Sequence, residues 1–304
     1  MRVSSNQYHI TVNASLQNSN TQLEKLMGQM SSGNRLTRPS DDPIAHVRIS
    51  RLQREEASIA QYKDNIGALS NRMTQSETVL SSINSDLLST RDLLVWALDG
   101  GNTGEDLSAM ATNLESLRDA LYASALTKDQ EGSYLFSGTL SKTATVGFNA
   151  AAAAGTRYTV GGNSEQQQVV VGNGLTQPAN VTLGDEMAAM LNTLDQAIEA
   201  IKGGGTTANN PATRASLQAA LTGVDTGMDQ VSTKISKLGG AQNIVSTLET
   251  NWGNLSTANQ TAVLDYSQLN YATAAVQLNT LMSAIKATQS AYGKVSQLSL
   301  FDAL

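Results

Sequence analysis

"PIAHVRISRLQREEASIAQYKDNIGALSNRMTQSETVLSSINSDLLSTRDLLVWAL", residues 43–98, carries Leu52, Ile59, Ile66, Met73, Leu80, Leu87 and Leu94 at an unbroken spacing of seven. The positions three further on, Glu55, Tyr62, Leu69, Ser76, Ile83, Thr90 and Ala97, are mixed. A stripe held at this period predicts a long α-helix packed along a partner at a shallow, coiled-coil-like angle. A helix from Pro43 to Leu98 is roughly 80 Å long. The expected fold is therefore mainly α and elongated, a rod of long helices.

Downstream, "DGGNTGED" (Asp99–Asp106) stops this helix with glycines and starts another at an acidic first turn, continued by Leu107, Met110, Leu114, Leu117 and Leu121. In "GSYLFSGT" (Gly132–Thr139) the alternation of Tyr134 and Phe136 with Leu135 and Ser137 predicts a strand. Between Ser141 and Asp185, "RYTV", "QQQVVV" and "NVTL" read as short strands separated by the turns "GGNS", "GNG" and "QPA". Helical patterning returns in "EMAAMLNTLDQAIEAI" and halts at the loop "GGGTTANNPA". A second long helix begins near Pro211, with Leu217, Leu221, Val224, Met228, Val231, Ile235, Leu238, Val245 and Trp252 as the natural partner of the first stripe. Gly223, Gly227 and the pair Gly239–Gly240 each cost about 1 kcal/mol in a helix interior. Close helix approach or a kink at Gly239 would account for them. Trp96 and Trp252 lie at or near seam positions and read as core.

Composition narrows the function. The 304 residues are 40% hydrophobic but only 4% aromatic and 15% charged, with no cysteine. Few aromatics disfavour one thick globular core. The missing cysteine excludes disulfides, thiolate zinc sites and a cysteine nucleophile. A formal charge of −6 disfavours non-specific nucleic-acid binding, which needs many Lys and Arg contacts to phosphate. The N-terminal "MRVSSNQYHITVNASL" lacks an apolar core of signal-peptide length, and nothing approaches the ~20 apolar residues of a membrane span. No membrane insertion is expected, and secretion would use a route without a cleaved signal.

Both ends are peculiar. Neither Val3–Leu23 nor Tyr266–Ile285 contains Asp, Glu, Lys or Arg, yet both carry helical apolar stripes. These are Val12, Leu16, Leu23, Leu26 and Met30 at the start, and Leu264, Tyr271, Leu278, Ile285 and Tyr292 at the end, prolonged by Val295, Leu298 and Phe301. A solvated helix normally carries charge on its outer face, and charge is depleted at interface cores. The stripes therefore predict an assembly interface whose helices order together on association. An ordinary intramolecular helix pair is the alternative.

Between the first stripe and the rod lies "RLTRPSDDPIAHVRIS", residues 35–50. Asp42 caps the rod helix, Pro43 takes its first position, Asp41 adds negative charge near the positive end of the dipole, and Pro39 keeps Arg38 extended. This predicts a stop-and-restart joint. A catalytic use of Asp41 and Asp42 lacks partners, since His9 and His46 are the only histidines. A phosphate site on Arg35, Arg38 and the helix N-terminus is conceivable. No cofactor, metal or catalytic set is expected.

These segments, in this order, resemble the flagellin superfamily, and within it the family of hook-associated protein 3. The resemblance rests on "MRVSSNQ", "SSGNRLTRPSDDPIAHVR" (Ser31–Arg48), "YLFSGT" (Tyr134–Thr139), "GDE" (Gly184–Glu186), "GGAQN" (Gly239–Asn243) and "LNYATAAVQLNTLMSAIKATQSAYGKVSQLSLFDAL" (Leu269–Leu304). The equivalent joint of filament flagellin typically reads "INSAKDDAAG", and its Val-, Pro- and Gln-rich ending is replaced here by "SLFDAL". The resemblance implies a terminal helical assembly domain (1–40 with 256–304), a helical rod domain with a β-hairpin (41–140 with 186–255) and an inserted β-rich outer domain (141–185). It also implies a non-enzymatic adaptor at the extracellular hook–filament junction. Its partners would be copies of itself in a ring, hook-associated protein 1 on the hook side and flagellin on the filament side. Type III export, with a chaperone on the C-terminal helix, belongs to the same resemblance. Filament flagellin itself and a secreted adhesin using the β insertion are the competing readings.

Overall fold

The stripe of seven becomes helix α2, Pro43–Ala97, in the computed structural model, which describes the backbone of residues 2–203 and 207–301 and the side chains of 7–203 and 207–294. The other elements are α1 (Arg2–Ser32), α3 (Gly104–Ala125), β1 (Val146–Phe148), β2 (Tyr158–Val160), β3 (Gln168–Gly172), β4 (Leu175–Pro178), α4 (Gly184–Lys202), α5 (Pro211–Ser267) and α6 (Tyr271–Phe301). The fold is mainly α. The chain divides into two compact units, Met1–Ser58 with Asn254–Leu304, and Ile59–Gly253. The long helices α2 and α5 contribute to both.

In the unit Ile59–Gly253, the stripe residues from Ile59 to Leu94 are buried, and those from Ile66 onward share one hydrophobic cluster with Leu217, Val224, Val231, Leu238 and Val245 of α5. Each buried Leu or Ile is worth about 1.5–3 kcal/mol. The mixed positions also fit. Ser76 and Thr90 are buried, but their hydroxyls donate to the carbonyls of Arg72 (2.9 Å) and Asp86 (2.7 Å) one turn back, so no polar group is stranded. Polar pairs fix the antiparallel register of α2 and α5. Tyr62 packs on Trp252, Gln242 donates to Glu77 (2.8 Å) and Arg91 to Asp225 (2.8 Å).

Helix α3 starts where the acidic turn predicts. Thr103 and Asp106 form a reciprocal capping box that satisfies two otherwise orphaned backbone donors. Helix α4 packs on α3 and approaches α5 closely at two glycines. A Cβ at Gly223 would lie 2.6 Å from Thr193 Oγ1, and one at Gly227 would lie 2.9 Å from Met190 Sδ. Close approach therefore accounts for these two. Gly239 and Gly240 have nothing within 4 Å of such a Cβ, and α5 runs through them unbroken. The helix is not interrupted at Gly239.

The β segments differ from expectation in detail. "YLFSGT" forms turns with an isolated bridge from Lys128 to Tyr134 rather than a strand. Leu135 and Phe136 are adjacent and both fully buried, which a one-faced strand does not allow, and Gly132 and Gly138 adopt φ of 74° and 71°. The two hairpins are antiparallel, β1 with β2 and β3 with β4. "RYTV" and "QQQVVV" supply β2 and β3, but "NVTL" is not a strand. The partner of β3 is Leu175–Pro178, across the turn Asn173–Gly174, so the expected "QPA" turn lies at a strand end. Trp96 is also not core. It is 62% exposed, while Trp252 is partly buried with its indole N–H donating to the Val171 carbonyl at 2.8 Å.

The hairpins bury Val146, Tyr158 and Val171 in the same hydrophobic cluster as the helices, and polar contacts tie their backbone to those helices. Asn192 of α4 exchanges hydrogen bonds with the backbone of Tyr158 (2.9 and 2.8 Å), and Asn65 of α2 donates to the Val170 carbonyl (2.8 Å). Asp195 of α4 is fully buried and accepts from Arg118 of α3 (3.1 Å), Arg157 (3.2 Å) and the Gly155 N–H (3.3 Å). Removing one partner from a buried ion cluster leaves uncompensated charge behind. Asp195→Ala is therefore expected to destabilise the protein by about 3 kcal/mol or more, read as a lower midpoint in urea unfolding. Gly239→Ala, facing open space inside a helix, should instead raise stability by about 0.5–1 kcal/mol. Gly223→Ala should forfeit that gain against Thr193.

Candidate assembly interface

In the unit Met1–Ser58 with Asn254–Leu304, the charge-free stripes meet. Leu26 of α1 is buried in a small cluster with Leu269 and Ala274, flanked by Met30, Leu278 and Leu281. Val12, Leu16, Leu23, Ile285 and Tyr292 are half-buried. Tyr292 meets the edge of His9 with ring centroids 5.3 Å apart, and the Tyr271 hydroxyl donates to the Met30 carbonyl at 3.2 Å although its ring is largely exposed. The side chains of Val295, Leu298 and Phe301 lie outside the described residues. The intramolecular helix pair thus exists within a single chain, but it covers only one side of each helix. Ile10 is 64% exposed, Met27 57% and Val276 66%.

Two joints stand beside this pair. The chain leaves α1 at Gly33, whose φ of 72° suits a residue without a Cβ, and re-enters a helix at Pro43. It leaves α5 at Ser267 and restarts at Tyr271, with Asn270 Oδ1 accepting the Thr273 N–H (3.1 Å) as an N-cap. The joints bind each other through backbone. Arg35 N–H donates to the Ser267 carbonyl (2.7 Å), Leu269 N–H donates to the Gly33 carbonyl (2.9 Å), and Asn34 bridges Gln268. Sequence reasoning missed this second joint, which lies inside the unit that takes in Asn254–Leu304. An Asn–x–x–Thr cap after a leucine was its only signal.

The aspartates do what capping chemistry requires, and more. Asp42 accepts the Ala45 N–H (3.0 Å) at the start of α2, with Pro43 in the first position, and also meets Arg35 (3.3 Å). Arg35 reaches on to the Tyr266 carbonyl (3.1 Å), and Arg48 donates to the Tyr266 hydroxyl (3.0 Å) with its guanidinium over the ring. Asp41 is the hub of the turn, accepting from Lys25 of α1 (2.7 Å), the N–H groups of Arg38 (3.1 Å) and Thr37 (3.2 Å), and the Thr37 hydroxyl (3.1 Å). The side chains of Arg38 and Pro39 are exposed. Both acids are engaged by donors to the backbone turn, and Arg38 contributes its N–H. Among the described residues no group of three or more His, Asp or Glu could hold a metal ion.

The same contacts set the charge state. Lys25 first, then the Arg38 N–H and Thr37, hold the Asp41 carboxyl well below the usual carboxylate range. The Ala45 N–H, assisted by Arg35, lowers that of Asp42. A carboxylate with a depressed folded pKa stabilises above its unfolded value, about 4, and that contribution vanishes as pH falls through the folded value. The joint should therefore be fully formed at neutral pH and weaken progressively in acid. Thermal unfolding of the full chain against pH checks this. Asp41→Asn with Asp42→Asn should flatten the acid limb, and an unchanged limb would show that other carboxylates set it.

The model of the bacterial flagellin N-terminal helical region matches residues 3–141. Flagellar hook-associated protein 3 of Escherichia coli strain K12 is 26% identical over 304 residues, covering 93% of this chain and 93% of that protein. The solved structure of a flagellar hook-associated protein from Vibrio parahaemolyticus shares 31% identity, covers 75% of this chain and 100% of its own, and superposes with a TM-score of 0.68. The flagellar junction protein of Legionella pneumophila shares the fold at 16% identity, with a TM-score of 0.58 over 72% of this chain and 100% of that one.

Proposed function

The chain belongs to the flagellin superfamily, among the flagellar hook-associated proteins, and we propose that it is the adaptor joining hook to filament. In this reading copies form a ring outside the cell, with hook-associated protein 1 on the hook side and flagellin on the filament side. Export runs through the flagellar type III apparatus with a chaperone on the C-terminal helix. The work is mechanical, transmitting torque through packed helices, and needs no catalytic group or cofactor.

The observation that carries this reading is the half-covered α1–α6 pair. Its inner side is closed by Leu26, Leu269 and Ala274, while its other sides bear exposed Ile10 and Val276 within segments lacking formal charge, and exposed Met27 just beyond the first of them. Water does not favour such a surface, and neighbouring helices of the same kind do. The joint supports it, because Asp41, Asp42 and Arg35 fix where the terminal pair departs from α2 and α5.

Fluorescent tagging on intact flagella tests the assignment. A single band at the distal end of the hook is expected. Label along the whole filament would make the chain a filament subunit. Truncation after Gln289 tests the interface. It should leave the helical circular dichroism and the main thermal transition in place while abolishing incorporation, since each lost anchor at an interface centre is worth about 2 kcal/mol or more. Normal filaments from the truncated protein would remove the C-terminal segment from the assembly element.

A further inference from the structure

We propose that Asn173 is a site of spontaneous deamidation, at which the tip of the β3–β4 hairpin converts to aspartate or isoaspartate. Asn173–Gly174 is the only Asn–Gly pair in the chain. It forms the whole two-residue connection between the paired positions Gly172 and Leu175. Both residues are exposed, Gly174 sits at φ 72°, and apart from its two chain neighbours no residue comes within 4 Å of where its Cβ would be. The turn is thus open to solvent and free of packing from residues beyond its own strand ends.

Other asparagines lack this combination. In Asn163–Ser164 the carboxamide is clamped, its oxygen accepting the Thr139 N–H (2.9 Å) and its nitrogen donating to the Thr139 hydroxyl (2.7 Å). Asn149 accepts the Ala151 N–H (3.0 Å), and Asn102 donates to the Trp96 carbonyl. Inside helices the N–H following an asparagine is committed to the carbonyl one turn back. The Asn173 carboxamide has no hydrogen-bond partner among the described residues, and asparagine is among the thermally labile side chains.

The chemistry needs only water. The Gly174 backbone nitrogen, once deprotonated, attacks Asn173 Cγ. The new C–N bond closes a five-membered succinimide as the amide C–N bond breaks and ammonia leaves with a proton from solvent. Water then adds to either ring carbonyl, opening the ring to aspartate or to isoaspartate with its longer backbone. Each event replaces a neutral amide by a carboxylate, adding to a chain already at −6. The isoaspartate branch inserts a methylene into a connection whose neighbours are tied elsewhere. The Val171 carbonyl accepts the Trp252 indole, and a Cβ on Gly172 would lie 3.0 Å from Trp252 Cζ2. Trp252 therefore senses the change.

The test stores the full-length protein in neutral and in mildly alkaline buffer and follows it by intact mass and by peptide mapping that separates isoaspartate from aspartate. Asn173 should convert first, losing one amide per chain, and faster in alkali because the anionic nitrogen is the nucleophile. Asn173→Gln, which would have to close a six-membered ring, should stay intact at this position under the same storage. Tryptophan emission should drift with conversion in the parent protein and hold steady in Asn173→Gln, Trp96 contributing a constant background. Earlier conversion of another asparagine, or conversion of Asn173 only after unfolding in denaturant, would overturn the proposal.

Discussion

Two backbone hydrogen bonds, Arg35 to Ser267 and Leu269 to Gly33, join positions far apart in the chain, and the terminal helices depend on them. Closing a long loop costs entropy, but the cost grows only slowly with length. Here it is further offset because α2 and α5 already run side by side within the same unit. Glu56 accepts from Ser256 and Gln260, and Arg48 meets Tyr266. With the joints bound, α1 and α6 become neighbours and their weak stripes can find each other. Released, each would be an isolated helix in water, and such helices are marginal.

That dependence explains why the most heavily hydrogen-bonded polar cluster beside the pair sits at its root rather than on its surface. Lys25, Arg35, Asp41, Asp42 and Arg48 are spent on turns, caps and the opposite joint, while among the described residues the buried apolar cluster of the pair and its joint holds Leu26, Leu269 and Ala274. The exposed Lys25–Asp41 pair contributes little on its own. Its value lies in geometry, since the same carboxylate also holds the N–H groups of Thr37 and Arg38. A direction is fixed firmly for helices whose own intramolecular contact is slight. Such an arrangement suits elements whose remaining faces are completed by other chains.

The long helices and the cap at Asp42 were legible because their signals are local and repetitive. Seven hydrophobic residues at one spacing, or an aspartate before a proline, need no tertiary information. The strand at "YLFSGT" failed because alternation was read from residue type, whereas burial of both Leu135 and Phe136 is decided by what surrounds the loop. Leu175–Pro178 was hidden by its own composition, with a proline at the end of an exposed strand. Trp96 stands between the buried seam residues Leu94 and Ala97 yet is exposed, because lying near a seam is not lying on it. The joint at Gln268–Asn270 was invisible for a further reason. Its main determinant is pairing with residues more than two hundred positions away, which no window of sequence contains.

The hairpins complete the physical picture. Two-stranded sheets are marginal by themselves, so β1–β2 and β3–β4 owe their placement to contacts reaching out from helices. Asp195 and Asn192 hold the first from α4, while Asn65 and Trp252 hold the second from α2 and α5. Each anchor grips backbone groups of a β segment as well as, or instead of, its side chains. Backbone anchoring constrains where a hairpin sits while leaving outward side chains exposed, as Val160, Val170 and Leu175 show. The helical seams thus carry the stability, the joints set the direction of the terminal pair, and the hairpin surfaces can change with little consequence for either.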